Sequence, residues 1–275
     1  MGSSYNHAGF LSAKKALSYA GVSWFAVAFM GQLFFAYYVV VFYGGTAASG
    51  DWQAWTNRLI HGFVEEDLLG NLVLVSHMVL AFYVSAFGPL QLVPSVRKKA
   101  PRFHRINGRV YISVAFLIST GALYLTWSRG GFDGKAFSVN SLGISINGLL
   151  IIVFAALALK YAMARKIVIH QVWAMRLFMA MSGVWFMRVG YGFWFFLFSL
   201  EDAPGVTQHL DGWFDKTLPW LASLLPLALL ELYFSAQKSR SIGVKWSAAA
   251  LFFVLTLVTG IGVVIIATIR WIPLL

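Results

Sequence analysis

The chain has 275 residues, of which 59% are apolar, 17% aromatic and only 11% charged, and its formal net charge is +11. Such a composition excludes a water-soluble globular protein and predicts an all-α, polytopic integral membrane protein. The sequence contains no cysteine, which excludes disulfides, thiolate metal sites and thiol catalysis.

Seven apolar stretches are each long enough to cross a bilayer, which takes roughly 20 residues of α-helix. They are residues 22–43, 71–93, 110–127, 144–163, 167–198, 218–234 and 247–269. We predict a single transmembrane domain over residues 1–275, with core helices in 71–198. The fifth stretch is long enough to tilt or to project from the bilayer.

Lysine and arginine are concentrated in alternate loops, and short cytoplasmic loops carry this excess. The rich side holds Lys14, Lys15, Arg97, Lys98, Lys99, Arg102, Arg105, Arg109, Arg165, Lys166, Lys238, Arg240 and Lys245. The other side holds mainly Arg58, Arg129, Lys135, Lys216 and Arg270. We therefore expect the N terminus inside and the C terminus outside a bacterial inner membrane. The expected partners of the basic loops are anionic lipid headgroups rather than nucleic acid.

Two segments outside the spans contain tryptophan. In residues 51–70, Trp55, Leu59 and Phe63 recur near helical spacing, which predicts a short helix on the outer surface. In residues 201–216, Trp213 and Phe214 predict a second outer interfacial segment.

His77 lies about seven residues into the second span, which at 1.5 Å per residue is roughly 9 Å below the outer surface. An ionisable residue at such a depth is a functional candidate by default. Two interpretations stay open for it: a hydrogen bond to a neighbouring helix, or a ligand to haem iron or another metal.

Two further histidines are placed to hold a haem from the inner side. His104 precedes the third span and His170 opens the fifth. A b-type haem needs two neutral imidazoles at equal depth on different helices, and cations near its propionates. The predicted iron ligands are His104 and His170, with His77 on the outer side. The remaining cofactor-binding residues are predicted to be Arg105, Arg109, Arg176 and Arg188, and Arg165 and Lys166 lie nearby.

Two arginines fall inside the fifth span. Arg188 is eighteen residues, or five turns, from His170 and shares its helix face, whereas Arg176 lies on another face roughly 12 Å below the inner surface. Glu231 is the one carboxylate in any predicted span, so we predict a structural Arg176–Glu231 ion pair. Arg188 is expected to hold outer propionates or to extend towards the outer surface.

Three short motifs carry a family resemblance. They are Phe87-Gly-Pro-Leu-Gln91, His104-Arg-x-x-Gly-Arg-x-Tyr111 and His170-x-x-Trp-x-x-Arg176. With His77, they make residues 70–188 resemble the bacterial predicted-membrane-protein family catalogued as domain-of-unknown-function family 2306, which implies an all-helical bundle. A looser similarity is to helical b-type cytochromes such as the cytochrome b561 group. That similarity implies a four-helix core of spans two to five, with His104 and His170 as the inner haem pair and His77, with His61, as the outer one.

Three functions are consistent with these residues. The first is a haem b-binding redox protein that moves electrons between a quinol-like donor and a membrane or external acceptor. The second is a transporter or receptor for a small anionic or lipid-like ligand, with Gln32, Gln91 and Asn147 along the path. The third is a structural or assembly subunit whose interior polar groups fix helix register.

Overall fold

The computed structural model describes residues 2–59, 62–131 and 133–275, with side chains from residue 9 onwards. All regular elements of these residues are helical. The α-helices are α1 (Gly2–Tyr38), α2 (Gly45–Ser49), α3 (Gln53–Thr56), α4 (Leu68–Phe87), α5 (Pro94–Lys99), α6 (Pro101–Ser128), α7 (Val139–Met163), α8 (Ile167–Met181), α9 (Gly183–Phe198), α10 (Trp213–Lys238) and α11 (Ile242–Ile266). A π-helical turn, Val39–Gly44, continues α1, and another, Ala267–Trp271, continues α11.

The predicted membrane fold is confirmed. Among the described residues, six helices are long and apolar enough to cross a bilayer, and α8 and α9 together form a seventh candidate span that bends by 52°. Six of the seven predicted stretches fall within one of these segments, and the second, 71–93, ends two residues beyond its segment. The agreement follows from the bilayer itself, where a backbone without water has to satisfy its hydrogen bonds within a helix.

The prediction of one continuous fifth helix is wrong, because the helix breaks at Ser182. The Ser182 hydroxyl donates to a carbonyl four residues earlier (2.9 Å) and accepts from Gln32 Nε2 of α1 (2.9 Å). Gly183 follows directly, and Ser/Gly pairs are a common cause of sharp kinks. His170 and Arg188 therefore do not share one straight helix face.

The spans pack around two main groups of buried side chains. α1 packs along α11 and α4, α6 lies between α4 and α7, α7 contacts α8 and α10, and α9 fills the space between α10 and α11. One group, including Tyr111, Ala155 and Leu177, joins α4, α6, α7 and α8. The other is aromatic, includes Tyr38 and Trp271, and lies where α1 and α11 finish.

The two ends of the bundle differ in charge. We call the end with the start of α1 and the exposed residues Arg97, Lys98 and Lys99 of α5 the basic end, and the opposite one the distal end. The prediction that Lys245 lies in a basic loop is wrong. It is 1% exposed in α11, and its ammonium donates to the carbonyls of Ala236 and Gln237 (both 2.9 Å), where α10 finishes.

The prediction of a surface helix in residues 51–70 is also wrong, since α3 makes one turn. Trp55 is buried within the protein, and its Nε1 donates to the Thr46 hydroxyl (3.0 Å). His61 lies outside the described residues. In the second segment, Trp213 and Phe214 begin α10 instead of forming a separate interfacial piece.

Candidate functional site

The basic end brings two predicted ligands together. His104 lies in the first turn of α6 and His170 in the first turn of α8, so both belong to the basic end of the bundle. His170 Nδ1 is 2.9 Å from the carbonyl oxygen of Ala158 in α7, which orients the ring. His104 Nδ1 is buried with no hydrogen-bond partner among the described residues.

Two more polar groups of the motifs lie in this region. The amide Nε2 of Gln91 and the hydroxyl of Tyr111 are buried and make no hydrogen bond within the described chain. Gly108 leaves room for Gln91, because a Cβ there would lie 3.1 Å from its Oε1, and Gly88 leaves room for the Tyr111 ring. His104, Gly108 and Tyr111 follow at i, i+4 and i+7 and share one face of α6. We call His104, His170, Gln91 and Tyr111 the basic-end polar cluster.

The arginines predicted to serve a cofactor are exposed or make other contacts. Arg105 and Arg109 are exposed, and so are Arg165 and Lys166. Arg176 Nε lies 2.7 Å from Glu231 Oε1, the carboxylate with which the sequence paired it. The Arg176 guanidinium also covers the Trp173 ring at 4.3 Å. The Arg176 guanidinium, which was expected near a haem propionate, is therefore already bound by the Glu231 carboxylate and the Trp173 ring.

His77 and Arg188 meet in the distal half of the bundle. His77 Nδ1 is buried and unpartnered among the described residues, and Arg188 is the charged group acting on this ring. Arg188 Nη1 donates to the Val184 carbonyl (3.1 Å), and its guanidinium lies 4.8 Å from the centre of the Phe35 ring. His209 is exposed in a loop, so the described residues supply no second imidazole for a distal haem.

The sequence did not reveal a cavity of about 770 Å³ between α1, α8, α9, α10 and α11. Its walls are almost wholly apolar and include Trp24, Phe178, Phe186, Trp194, Leu225 and Phe252. Leu221 and Leu225 on its α10 side are 44% and 48% exposed. The cavity therefore opens sideways, towards the lipid.

Two sequence features accompany the cavity. The break at Ser182 turns α9 away from the line of α8. Pro226 lines the cavity within α10, and because proline has no N–H, the carbonyl of Ala222 loses its helical donor. The signals were present in the sequence as Ser182-Gly183 and Pro226, but they do not say which helices face the resulting space.

Polar side chains are confined to a few points of this cavity. Tyr233 and Gln237, one turn apart on α10, lie at its basic end. Near the middle, Trp24 Nε1 donates to the Thr259 hydroxyl (3.2 Å), which satisfies both groups across α1 and α11. An occupant therefore meets hydrogen-bonding groups mainly at one end.

Two carboxylates at the distal end have structural roles that the sequence did not predict. Asp67 caps α4 by accepting from the Gly70 N–H (2.9 Å) and pairs with Arg129 (2.7 Å). These interactions hold the pKa of the Asp67 carboxyl below its usual value, the Gly70 hydrogen bond most and the Arg129 side chain next. Asp215 is buried in α10 and accepts from the hydroxyl of Tyr191 (2.7 Å). Both carboxylates therefore have structural partners.

The comparisons with known proteins agree with these motifs. A family model described as predicted membrane protein, domain-of-unknown-function family 2306 (DUF2306), matches residues 74–213, half of the chain. The matched range contains His77, the three motifs and Arg188. No curated protein and no solved structure matches the chain, so the similarity to b-type cytochromes stays a prediction. The chain belongs to the DUF2306 family of predicted membrane proteins.

Proposed function

We propose that this protein binds a long-chain, lipid-like molecule from the bilayer in the cavity between α1, α8, α9, α10 and α11. The observation that carries the proposal is the cavity itself, whose volume of about 770 Å³ lies within the range of small-molecule sites. Its apolar walls favour a hydrocarbon chain because burying apolar surface there is favourable and no polar group has to be left unpaired.

The length of the cavity narrows the ligand class. Phe214 and Gln237 both line it and lie 23 residues apart on α10, which is roughly 35 Å of helix at 1.5 Å per residue. A bilayer has a hydrocarbon core about 30 Å thick. The occupant is therefore a chain that extends through much of the membrane, as acyl-chain lipids and isoprenoid quinones do.

The positions of the polar side chains in the cavity suggest how such a ligand is oriented. Its head group would lie near Tyr233 and Gln237 at the basic end, where a hydroxyl and an amide can bond it. Its chain would extend past Phe186 and Trp194 towards the distal end. Entry between the exposed side chains of Leu221 and Leu225 requires no passage through water.

The test is photolabelling of the purified protein in nanodiscs with palmitic acid that carries a diazirine. We expect labelled peptides from α10 and α11 and a several-fold loss of label in Leu225→Trp, which fills the cavity. Leu224→Trp is the matched control, because Leu224 is similarly exposed on the same helix but does not line the cavity. Equal labelling of both variants and the wild type would refute the proposal.

Electron transfer through a b-type haem is the second candidate function. It is supported by the positions of His104 and His170, which lie in the first turns of different helices at one end of the bundle. The Ala158 carbonyl at His170 Nδ1 leaves Nε2 of that ring available to iron. Neither histidine lines the 770 Å³ cavity, so the two proposals concern different sites.

A bound haem would supply single-electron chemistry. The two imidazoles would hold its iron, and Gln91 Nε2 and the Tyr111 hydroxyl are buried donors in the same region. The test is the oxidised and dithionite-reduced absorbance of protein from haem-supplemented cells. His104→Ala and His170→Ala should abolish or shift a reduced α-band that His209→Ala leaves intact. A featureless wild-type spectrum would eliminate this candidate.

A further inference from the structure

Three arginines from three separate parts of the chain meet at the distal end. Arg58 follows α3, Arg188 lies in α9 and Arg270 lies in the π-helical turn after α11. Arg188 lies against the Phe35 ring, which contacts Trp271 directly beside Arg270. Arg58 Nη2 also donates to the carbonyl oxygen of Arg270 (2.8 Å). We call these three residues the distal arginine cluster.

A group of packed aromatic side chains lies beside the distal arginine cluster. Trp271 stacks on Tyr38, with ring centres 6.0 Å apart and planes 20° apart, and its ring centre lies 5.3 Å from that of Phe35. The Arg188 guanidinium lies 4.8 Å from the centre of the Phe35 ring, so it belongs to the same group of side chains. Because Arg270 directly precedes Trp271, the buried tryptophan anchors it near the same aromatic group.

The cluster contains positive charge that the described residues do not neutralise. None of the three arginines forms an ion pair with a described carboxylate. Among the distal carboxylates, Asp67 pairs with Arg129 and Asp215 accepts from Tyr191. Cations that lack a counter-charge favour a bound anion, so an anion beside Arg58 and Arg270, with Arg188 deeper, would be stabilised.

The depths of the three side chains suit an anion at the membrane surface. Arg270 is exposed, Arg58 is half-buried, and Arg188 lies deeper, near His77. An anion could thus enter from the surface and be held by a deeper charge. Guanidinium groups bond oxyanions through two parallel N–H donors, and phosphate offers enough oxygens for several arginines at once.

We propose that the distal arginine cluster binds a phosphate group, supplied by free phosphate or by a phospholipid headgroup. This site is separate from the lipid-like ligand of the cavity, because none of its arginines lines that cavity. It is also independent of haem, since its donors are guanidinium groups at the opposite end from His104 and His170.

The experiment measures binding of two probes to full-length protein in dodecyl maltoside. Inorganic phosphate is titrated at constant ionic strength, and dihexanoyl phosphatidic acid is compared with dihexanoylglycerol, which lacks the phosphate. The variant Arg58→Gln/Arg270→Gln changes accessible side chains, and Arg188→Gln removes the deeper one. Arg240→Gln is the control, because Arg240 is exposed at the basic end.

We expect at least ten-fold weaker binding in both cluster variants and unchanged binding in the control. Binding of both phosphate probes would identify free phosphate as a sufficient ligand, and binding of phosphatidic acid alone would identify a lipid headgroup. If neither probe binds, or if the cluster variants bind as the wild type does, the proposal is overturned. Melting temperatures confirm folding, and Arg58→Gln/Arg270→Gln keeps the test valid if Arg188→Gln does not fold.

Discussion

Arg176 and Glu231 connect α8 to α10 through a contact of 2.7 Å between Nε and Oε1. The pair lies beside the break of the fifth span, and it joins the two helices that flank the cavity on the basic side. A charged hydrogen bond of this kind stabilises the relation between two helices that otherwise contact through apolar side chains.

Removing one charge of this pair should destabilise the fold. We expect Glu231→Gln and Arg176→Gln each to cost about 1–3 kcal/mol, the usual range for a hydrogen bond to a charged group. The double variant should lose less than the sum, because the pair is then removed as a unit. Unfolding in detergent measures these values, with Glu201→Gln in an exposed loop as control. Strict additivity would show that the contact contributes no coupling energy.

The Asp67–Arg129 contact predicts a pH dependence. In the folded protein the pKa of Asp67 is lowered. The stabilisation of the fold by this carboxylate is therefore complete above its unfolded pKa of about 3.9, and it is lost as the pH falls through the folded pKa. Asp67→Asn should therefore lower the melting temperature at pH 7, and the difference from wild type should shrink towards pH 3. Glu65→Gln, an exposed neighbour, should give no such trend. A difference that is constant with pH would contradict the assignment.

A close contact between α9 and α11 predicts the effect of a single methyl group. A Cβ at Gly262 would clash with the carbonyl oxygen of Val189, whereas a Cβ at Gly260 would make an ordinary contact of 3.7 Å with Val27. Gly262→Ala should cost about 1–3 kcal/mol through overpacking, and Gly260→Ala on the same helix should be nearly neutral. Thermal unfolding in detergent compares the two, and equal stabilities would disprove the close packing.

The hydrogen bonds of Lys245 at the junction of α10 and α11 predict a loss of stability when its ammonium is removed. Lys245→Met keeps the side-chain length but removes the ammonium that bonds the carbonyls of Ala236 and Gln237. We expect a loss of about 1–3 kcal/mol, because buried acceptors are left unpaired and a cation at a helix C terminus is lost. Lys238→Met, at an exposed position, is the control. The measurement is again unfolding in detergent, and a neutral Lys245→Met would rule out this role.

Part of the candidate site was readable from residue types alone. Glu231 was the one acidic residue in the predicted spans, which left Arg176 a single partner. His104 and His170 were assigned to one end because each begins a span on the same side. The distal arginine cluster was not readable, since Arg58 and Arg270 are 212 positions apart and each looked like an ordinary loop cation.

The sequence by itself determined the class of fold. Hydrocarbon penalises unpaired backbone groups and charges, so the apolar lengths specify a bundle of six or seven spans whatever their neighbours are. Tertiary structure alone decided the bend at Ser182, the 770 Å³ cavity and the burial of Lys245. These features depend on which side chains of distant helices meet, and helix–helix packing in lipid is set by close contacts rather than by hydrophobicity.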